Sequence, residues 1–155
     1  MVIVLGIDPG TANTGYGVVM TRGAQMGALD GGVIHESLVG IHARVTELIA
    51  EYELDAVAVE DLFFNRNVRS AMAVSETRGV VLLAAAQAGV PCFSYTPQAI
   101  KKSVCGSGSA AKDQVQRMVG ALLGLPAPPE PDHAADALAV AICHASSAPM
   151  RAAVA

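Results

Sequence analysis

Cysteine is scarce in this 155-residue sequence and follows no pattern. Cys92, Cys105 and Cys143 are scattered, odd in number and without a CxxC spacing. A zinc knuckle and a disulfide framework are therefore excluded, and the three read as small core residues. No continuous apolar run reaches the roughly 18 residues of a membrane span. The opening residues lack the basic flank and small-residue cleavage pattern of a secretory signal, so a cytoplasmic location is expected. Internal repeats are absent too. Positive charge is in short supply: ten Lys and Arg stand against fourteen Asp and Glu, for a net charge of −4. That total at first argues against a nucleic-acid partner.

The distribution of charge reverses the impression. Residues 1–61 hold two arginines against nine carboxylates, whereas residues 62–120 hold seven basic residues against Glu76 and Asp113. A polyanion needs local positive charge, not a positive total, although solvated helix faces would explain the same count. Apolar residues are abundant, at 52% with a mean hydropathy of +0.44. Such a chain can bury a sizeable core, and its length suits one domain. We assign residues 1–147 to that domain and 148–155 to a frayed tail.

Apolar runs and turn residues set the expected order of elements. Val2–Ile7 reads as a buried strand, Gly15–Met20 as its antiparallel neighbour, and 28–35 as a third strand with a bulge or turn at Gly31-Gly32. Ile41, Val45, Leu48 and Ile49 recur at helical spacing over 41–52. Residues 55–59 form the next strand, and its continuous apolar character suits a sheet covered on both faces. The longest helix, 68–89, carries two apolar stripes. Val68, Met72, Ser75, Gly79, Leu82 and Ala86 make one; Ala71, Val74, Arg78, Val81 and Ala85 make the other. It should be buried on nearly every side, one face on the sheet and the other on a second chain. Enclosure within one chain is the alternative. A strand over 90–95 follows, then a helix capped by Thr96-Pro97, a helix over 110–123, and a last helix from Asp132 to about Ser146. The sum is an α/β domain of ribonuclease-H type, a mixed five-stranded sheet flanked by helices.

Four side chains stand out against this frame. Asp8 and Glu60 each end an apolar strand, and a buried ionised carboxylate is costly unless it is paired or bound to a cation. His133 and Asp136, three residues apart, share a helix face. Together the four would make a divalent-metal site, and a carboxylate-rich metal site with no phosphate-cradling loop points to phosphodiester hydrolysis. Backbone amides at the strand ends are the competing explanation for Asp8 and Glu60. Asp132 also shares a face with Asp136, but it follows Pro131 and sits where a helix cap, or a residue that orients the site, belongs. His133 reads either as a structural histidine near a helix start or as a ligand or general base.

Gly6-Ile7-Asp8-Pro9-Gly10 followed by Thr14-Gly15-Tyr16-Gly17 closely resembles the opening of RuvC-type Holliday-junction resolvases. Val59-Glu60-Asp61-Leu62-Phe63 resembles their second acidic motif. Gly106–Lys112 with Gln114-Val115-Gln116 matches a third block, and Asp132–Ala139 a fourth. The interval before Glu60 is short for the family, and His133 stands where many members carry aspartate. The resemblance implies a ribonuclease-H-like homodimer, paired through the 68–89 helix, that nicks four-way DNA junctions symmetrically in recombination and repair. Association with a RuvA–RuvB branch-migration complex is likewise implied.

Hydrolysis needs hydroxide near neutral pH and neutralisation of the leaving 3′ oxygen, which two divalent ions about 4 Å apart can supply. On this reading Asp8 bridges the two ions. Glu60 binds the one nearer the leaving group, and Asp136 with His133 holds the nucleophile side, His133 alternatively accepting a proton. Hard oxygen ligands favour Mg²⁺ or Mn²⁺, and the imidazole predicts that Mn²⁺ supports cleavage at least as well. The resemblance gives Lys112 a phosphate-contacting or transition-state role and matches Lys101 to a basic residue. Phe63, just past a strand, would stack on a splayed base for about 1–3 kcal/mol, with Phe64 as the alternative wedge. Arg66, Asn67 and Arg69 could reach phosphates. Three rivals remain: an actin-like ATPase, for which the chain is too short; a RuvC-like pre-ribosomal-RNA nuclease; and an inactive junction-binding scaffold.

Overall fold

The computed structural model describes residues 1–10, 12–35, 37–61 and 68–154, with side chains described as far as residue 147. Five strands, β1 (Val2–Pro9), β2 (Thr14–Arg22), β3 (Gln25–Ile34), β4 (Ala56–Glu60) and β5 (Cys92–Tyr95), form one sheet in the order β3-β2-β1-β4-β5. The first three are antiparallel neighbours, while β1–β4 and β4–β5 run parallel. Helices α1 (Leu38–Tyr52) and α2 (Val68–Gln87) cover one face, and α3 (Pro97–Cys105), α4 (Lys112–Leu122) and α5 (Asp132–Val154) cover the other.

Two-sided burial explains why β1 and β4 read as continuous apolar runs. Successive side chains leave opposite faces of a strand, so Val4 packs under α3–α5 while Leu5 and Ile7 pack under α1 and α2, all fully buried. Ala58 and Val59 divide in the same way. By that alternation Asp8 and Glu60, next in their rows, emerge on the α5 face at the carboxyl ends of two adjacent parallel strands.

Several elements differ from the sequence reading. The extra residue in β3 is Leu29, where the β2 pairing shifts between Val18 and Val19; Gly31 and Gly32 pair regularly with Gly17 and Tyr16. The last helix continues through Val154, well past Ser146. In α2 the second stripe does turn to the core, with Val74, Val81 and Ala85 buried and Ala71 and Arg78 half-buried; Thr77 and Ala84 beside it are buried too. The first does not: Val68 and Met72 are 76% and 59% exposed, Ser75, Gly79 and Ala86 are exposed as well, and Leu82 is half-buried while its neighbour Leu83, outside the stripe, faces out. Among the described residues, nothing covers that face of α2. Thr96 caps α3 as expected, accepting a hydrogen bond from the Ala99 amide at 3.1 Å.

Candidate metal centre

Glycines bring the last helix down onto the sheet. A Cβ on Gly6 would lie 2.0 Å from the Ala137 carbonyl, and one on Gly15 would lie 2.0 Å from the His133 carbonyl. Leu138 fills the space over Gly17 in the same way. Only residues without a side chain permit this approach of backbone to backbone. The consequence is positional: His133 and Asp136, on the first two turns of α5, are held against the end of β1. The sequence contained this signal, since all three glycines belong to its motifs, but a glycine in a strand does not say what approaches it.

Asp8, His133 and Asp136 consequently form a cluster in which one potential ligand atom from each lies within 4.8 Å of the others. His133 Nδ1 stands 3.5 Å from Asp8 Oδ2, yet the alignment is not that of a hydrogen bond, and this buried nitrogen has no other partner. Glu60 lines the same cavity, of about 420 Å³, without joining that tight trio. The sequence reading placed four ligands together; the structure gathers three and sets the fourth on the wall beside them. An orphaned imidazole nitrogen facing carboxylate oxygens is a donor set that can hold a divalent cation. The residues fit such an ion.

Electrostatics around the trio agree with that fit. Burial, and then the negative charge of Asp8, push the Asp136 carboxyl above its ordinary range; Lys112 and His133 pull it back. Lys112 Nζ lies 3.5 Å from Asp136 Oδ2 and 3.8 Å from Asp132 Oδ2. Lys112 is the first residue of α4, the end of a helix where the dipole disfavours a cation. Its two carboxylate neighbours offset that placement. Lys101, on α3, lines the same cavity.

Asp132 is not the helix cap. The Ala134 and Ala135 amides bond to the Pro131 carbonyl at 3.0 and 3.2 Å, and Asp132 is already inside the first turn. Its carboxylate instead accepts from Gln116 Nε2 at 3.0 Å and faces Lys112, so it helps orient that lysine. It does not join the trio. Arg69 is exposed at the start of α2. Phe63, Phe64, Arg66 and Asn67 lie outside the described residues.

A mixed sheet flanked by helices, with carboxylates at adjacent strand ends and on a crossing helix, defines a ribonuclease-H-like nuclease. Residues 4–144 match the family model described as crossover junction endodeoxyribonuclease RuvC, and the chain belongs to that family. A crossover junction endodeoxyribonuclease RuvC from Moorella thermoacetica is 52% identical over 157 residues, covering 96% of this chain and 94% of its own. The structure of Thermus thermophilus RuvC in complex with a Holliday-junction substrate superposes with a TM-score of 0.92 at 42% identity, covering 97% of each chain. The yeast mitochondrial Holliday-junction resolvase Ydc2 shares the fold at 14% identity, with a TM-score of 0.61.

Proposed function

We propose that the protein resolves four-way DNA junctions by hydrolysing one phosphodiester bond in each of two strands, with Asp8, Glu60, His133 and Asp136 holding divalent metal. The observation that carries the reading is the convergence of Asp8 on β1 with His133 and Asp136 on α5, in the cavity that Glu60 also lines. When bound, the metal supplies hydroxide near neutral pH and neutralises the leaving oxygen. The chain's own groups do the rest. Asp8 and Asp136 share the trio and Glu60 completes the cage from the neighbouring strand. His133 either binds or takes the proton of the attacking water at its orphaned Nδ1. Lys112, held between Asp132 and Asp136, presents its ammonium to a phosphate oxygen, and Lys101 holds the strand at the other wall.

Mn²⁺ should serve at least as well as Mg²⁺, given the imidazole. Residues 1–147 supply the nuclease domain. The exposed stripe of α2 would seat a second copy, which presents two cavities to a symmetric junction. Phe63, with Arg66, Asn67 and Arg69, would engage the DNA at the crossover. Association with RuvA–RuvB, and a cytoplasmic site of action, rest on the family alone. An inactive scaffold is disfavoured because the sequence retains all four candidate ligands, Asp8, Glu60, His133 and Asp136.

The test is a synthetic four-way junction incubated with protein and Mn²⁺. Paired, symmetric nicks are expected. Asp8→Asn and Glu60→Gln should each slow nicking by on the order of a hundredfold or more, since a metal contributes several kcal/mol of transition-state stabilisation. Binding without nicks would leave the scaffold reading, and full-rate nicking by either variant would overturn the metal site.

A further inference from the structure

Arg78 is the anomaly in the core-facing stripe of α2. Val74, Thr77, Val81 and Ala85 around it are buried, and a guanidinium in such company needs a reason. Its Nη2 reaches Asp61 Oδ1 at 3.3 Å and makes a short hydrogen bond to Ser94 Oγ. Its Nε is buried without an acceptor, so the side chain is held by its far end at some cost.

Both partners lie next to the proposed metal centre. Asp61 directly follows Glu60, and its amide is fixed by the Tyr95 carbonyl at 2.8 Å. Ser94 pairs with Val59, the residue before Glu60, in the β4–β5 ladder. One guanidinium therefore ties together α2, the end of β4 and β5, on both sequence flanks of Glu60. Glu60 is the ligand that stands apart from the Asp8–His133–Asp136 trio, so its approach depends on how the end of β4 is held.

We propose that Arg78 is a positioning residue: through Asp61 and Ser94 it sets the end of β4 so that the Glu60 carboxylate completes the metal cage. This rests on the reading of Glu60 as a ligand. A group that orients a metal ligand typically matters by about 10–100-fold in metal affinity or activity. Arg78 acts through a neighbouring residue of the strand, which places it at the lower end of that range. Both contacts come from one nitrogen, Nη2; lysine at 78 keeps a charged multiple donor but ends in a compact ammonium without the planar guanidinium, so it should recover part of the loss.

The experiment titrates Mn²⁺ into wild type, Arg78→Met, Arg78→Lys, Asp61→Asn and the Arg78→Met/Asp61→Asn double variant. Two quantities are read: the Mn²⁺ concentration for half-maximal nicking, and Mn²⁺ bound to DNA-free protein by electron paramagnetic resonance. Expected is a roughly tenfold higher Mn²⁺ requirement for Arg78→Met, a smaller rise for Arg78→Lys, a maximal rate at saturating Mn²⁺ close to wild type, and weaker Mn²⁺ binding in the resonance titration. The double variant should be no worse than the single ones, because residues acting as a unit are not additive. An unchanged Mn²⁺ requirement in both Arg78→Lys and Asp61→Asn, with only a lower Tm, would overturn the proposal. Glu60→Gln is the control. If it leaves Mn²⁺ dependence untouched, the metal-centre reading fails; if it abolishes Mn²⁺ dependence while the Arg78 and Asp61 variants do not change it, only the positioning role fails.

Discussion

Asp136 carries a conflict between folding and function. Burial and the neighbouring Asp8 raise its carboxyl above the ordinary range, so the folded protein binds that proton more tightly than the unfolded chain does. The resulting stabilisation is full at pH values below the ordinary carboxylate range and is lost as pH rises through the raised value. At pH 7 without metal, the ionised group is therefore a liability. Asp136→Asn should raise Tm in EDTA at pH 7, the gain shrinking toward zero as pH falls below the carboxylate range, while junction nicking is lost. A lower Tm at pH 7, measured by calorimetry across that pH series, would contradict the assignment. Asp8 and Glu60 were legible in the sequence because each interrupts an apolar run at its end. His133 and Asp136 were legible from helical spacing. For Asp132 the sequence offered a cap or an orienting residue without deciding between them, because its partners, Gln116 and Lys112, come from a helix that only the fold brings alongside.

At the scale of elements, the decisive contact is α5 on β1 and β2. Gly6, Gly15 and Gly17 form the floor on which its backbone rests, and a methyl group at Gly15 would meet the His133 carbonyl directly. Gly15→Ala should cost about 1–3 kcal/mol, the usual penalty of overpacking, and should also reduce nicking at 25 °C by lifting His133 away from Asp8. Urea denaturation and the nicking assay read the two effects separately; wild-type behaviour in both would show that α5 does not depend on this floor. Sequence patterning located α5 and its two candidate ligands but ended it near Ser146, because Pro149 reads locally as a stop. It likewise put the β3 irregularity at the Gly31-Gly32 pair, when the bulge residue is Leu29. A glycine pair announces conformational freedom without saying whether the partner strand uses it.

Helix α2 poses a different element-scale question. Its two stripes were visible from spacing, and the structure separates them into a buried face and an exposed one. Val68, Met72, Ser75 and Gly79 of the first stripe share that exposed face with Leu83, which takes the place the sequence reading gave to Leu82. A second copy seated there would hide it. Met72→Glu combined with Leu83→Glu should convert a dimer to a monomer in analytical ultracentrifugation and abolish paired nicking of a junction. Unchanged sedimentation would place the interface elsewhere.

For the whole molecule, acidic and basic residues divide by function. The carboxylates concentrate in residues 1–61, which supply Asp8 and Glu60; the basic excess lies in residues 62–120, which supply Lys101 and Lys112 to the opposite wall. The sheet closes this separation in sequence into one cavity lined by both signs, which on the proposed reading serve metal and phosphate respectively. A chain of net charge −4 can thus serve a polyanionic substrate. The overall architecture was readable because strand and helix periods alternate cleanly. What the sequence could not convey was distance. Four candidate ligands were expected in one cluster, and the structure gathers Asp8, His133 and Asp136 tightly with Glu60 on the cavity wall.

The central claim is that this trio and Glu60 hold the metal that cleaves the junction. Crystals soaked in Mn²⁺ and measured for anomalous scattering at the manganese edge test it most directly. A peak bonded to Asp8, with His133 or Asp136 and Glu60 completing its coordination at about 2.0–2.3 Å, is the predicted result. Density absent from this cavity, or Mn²⁺ bound only at other acidic groups, would contradict it.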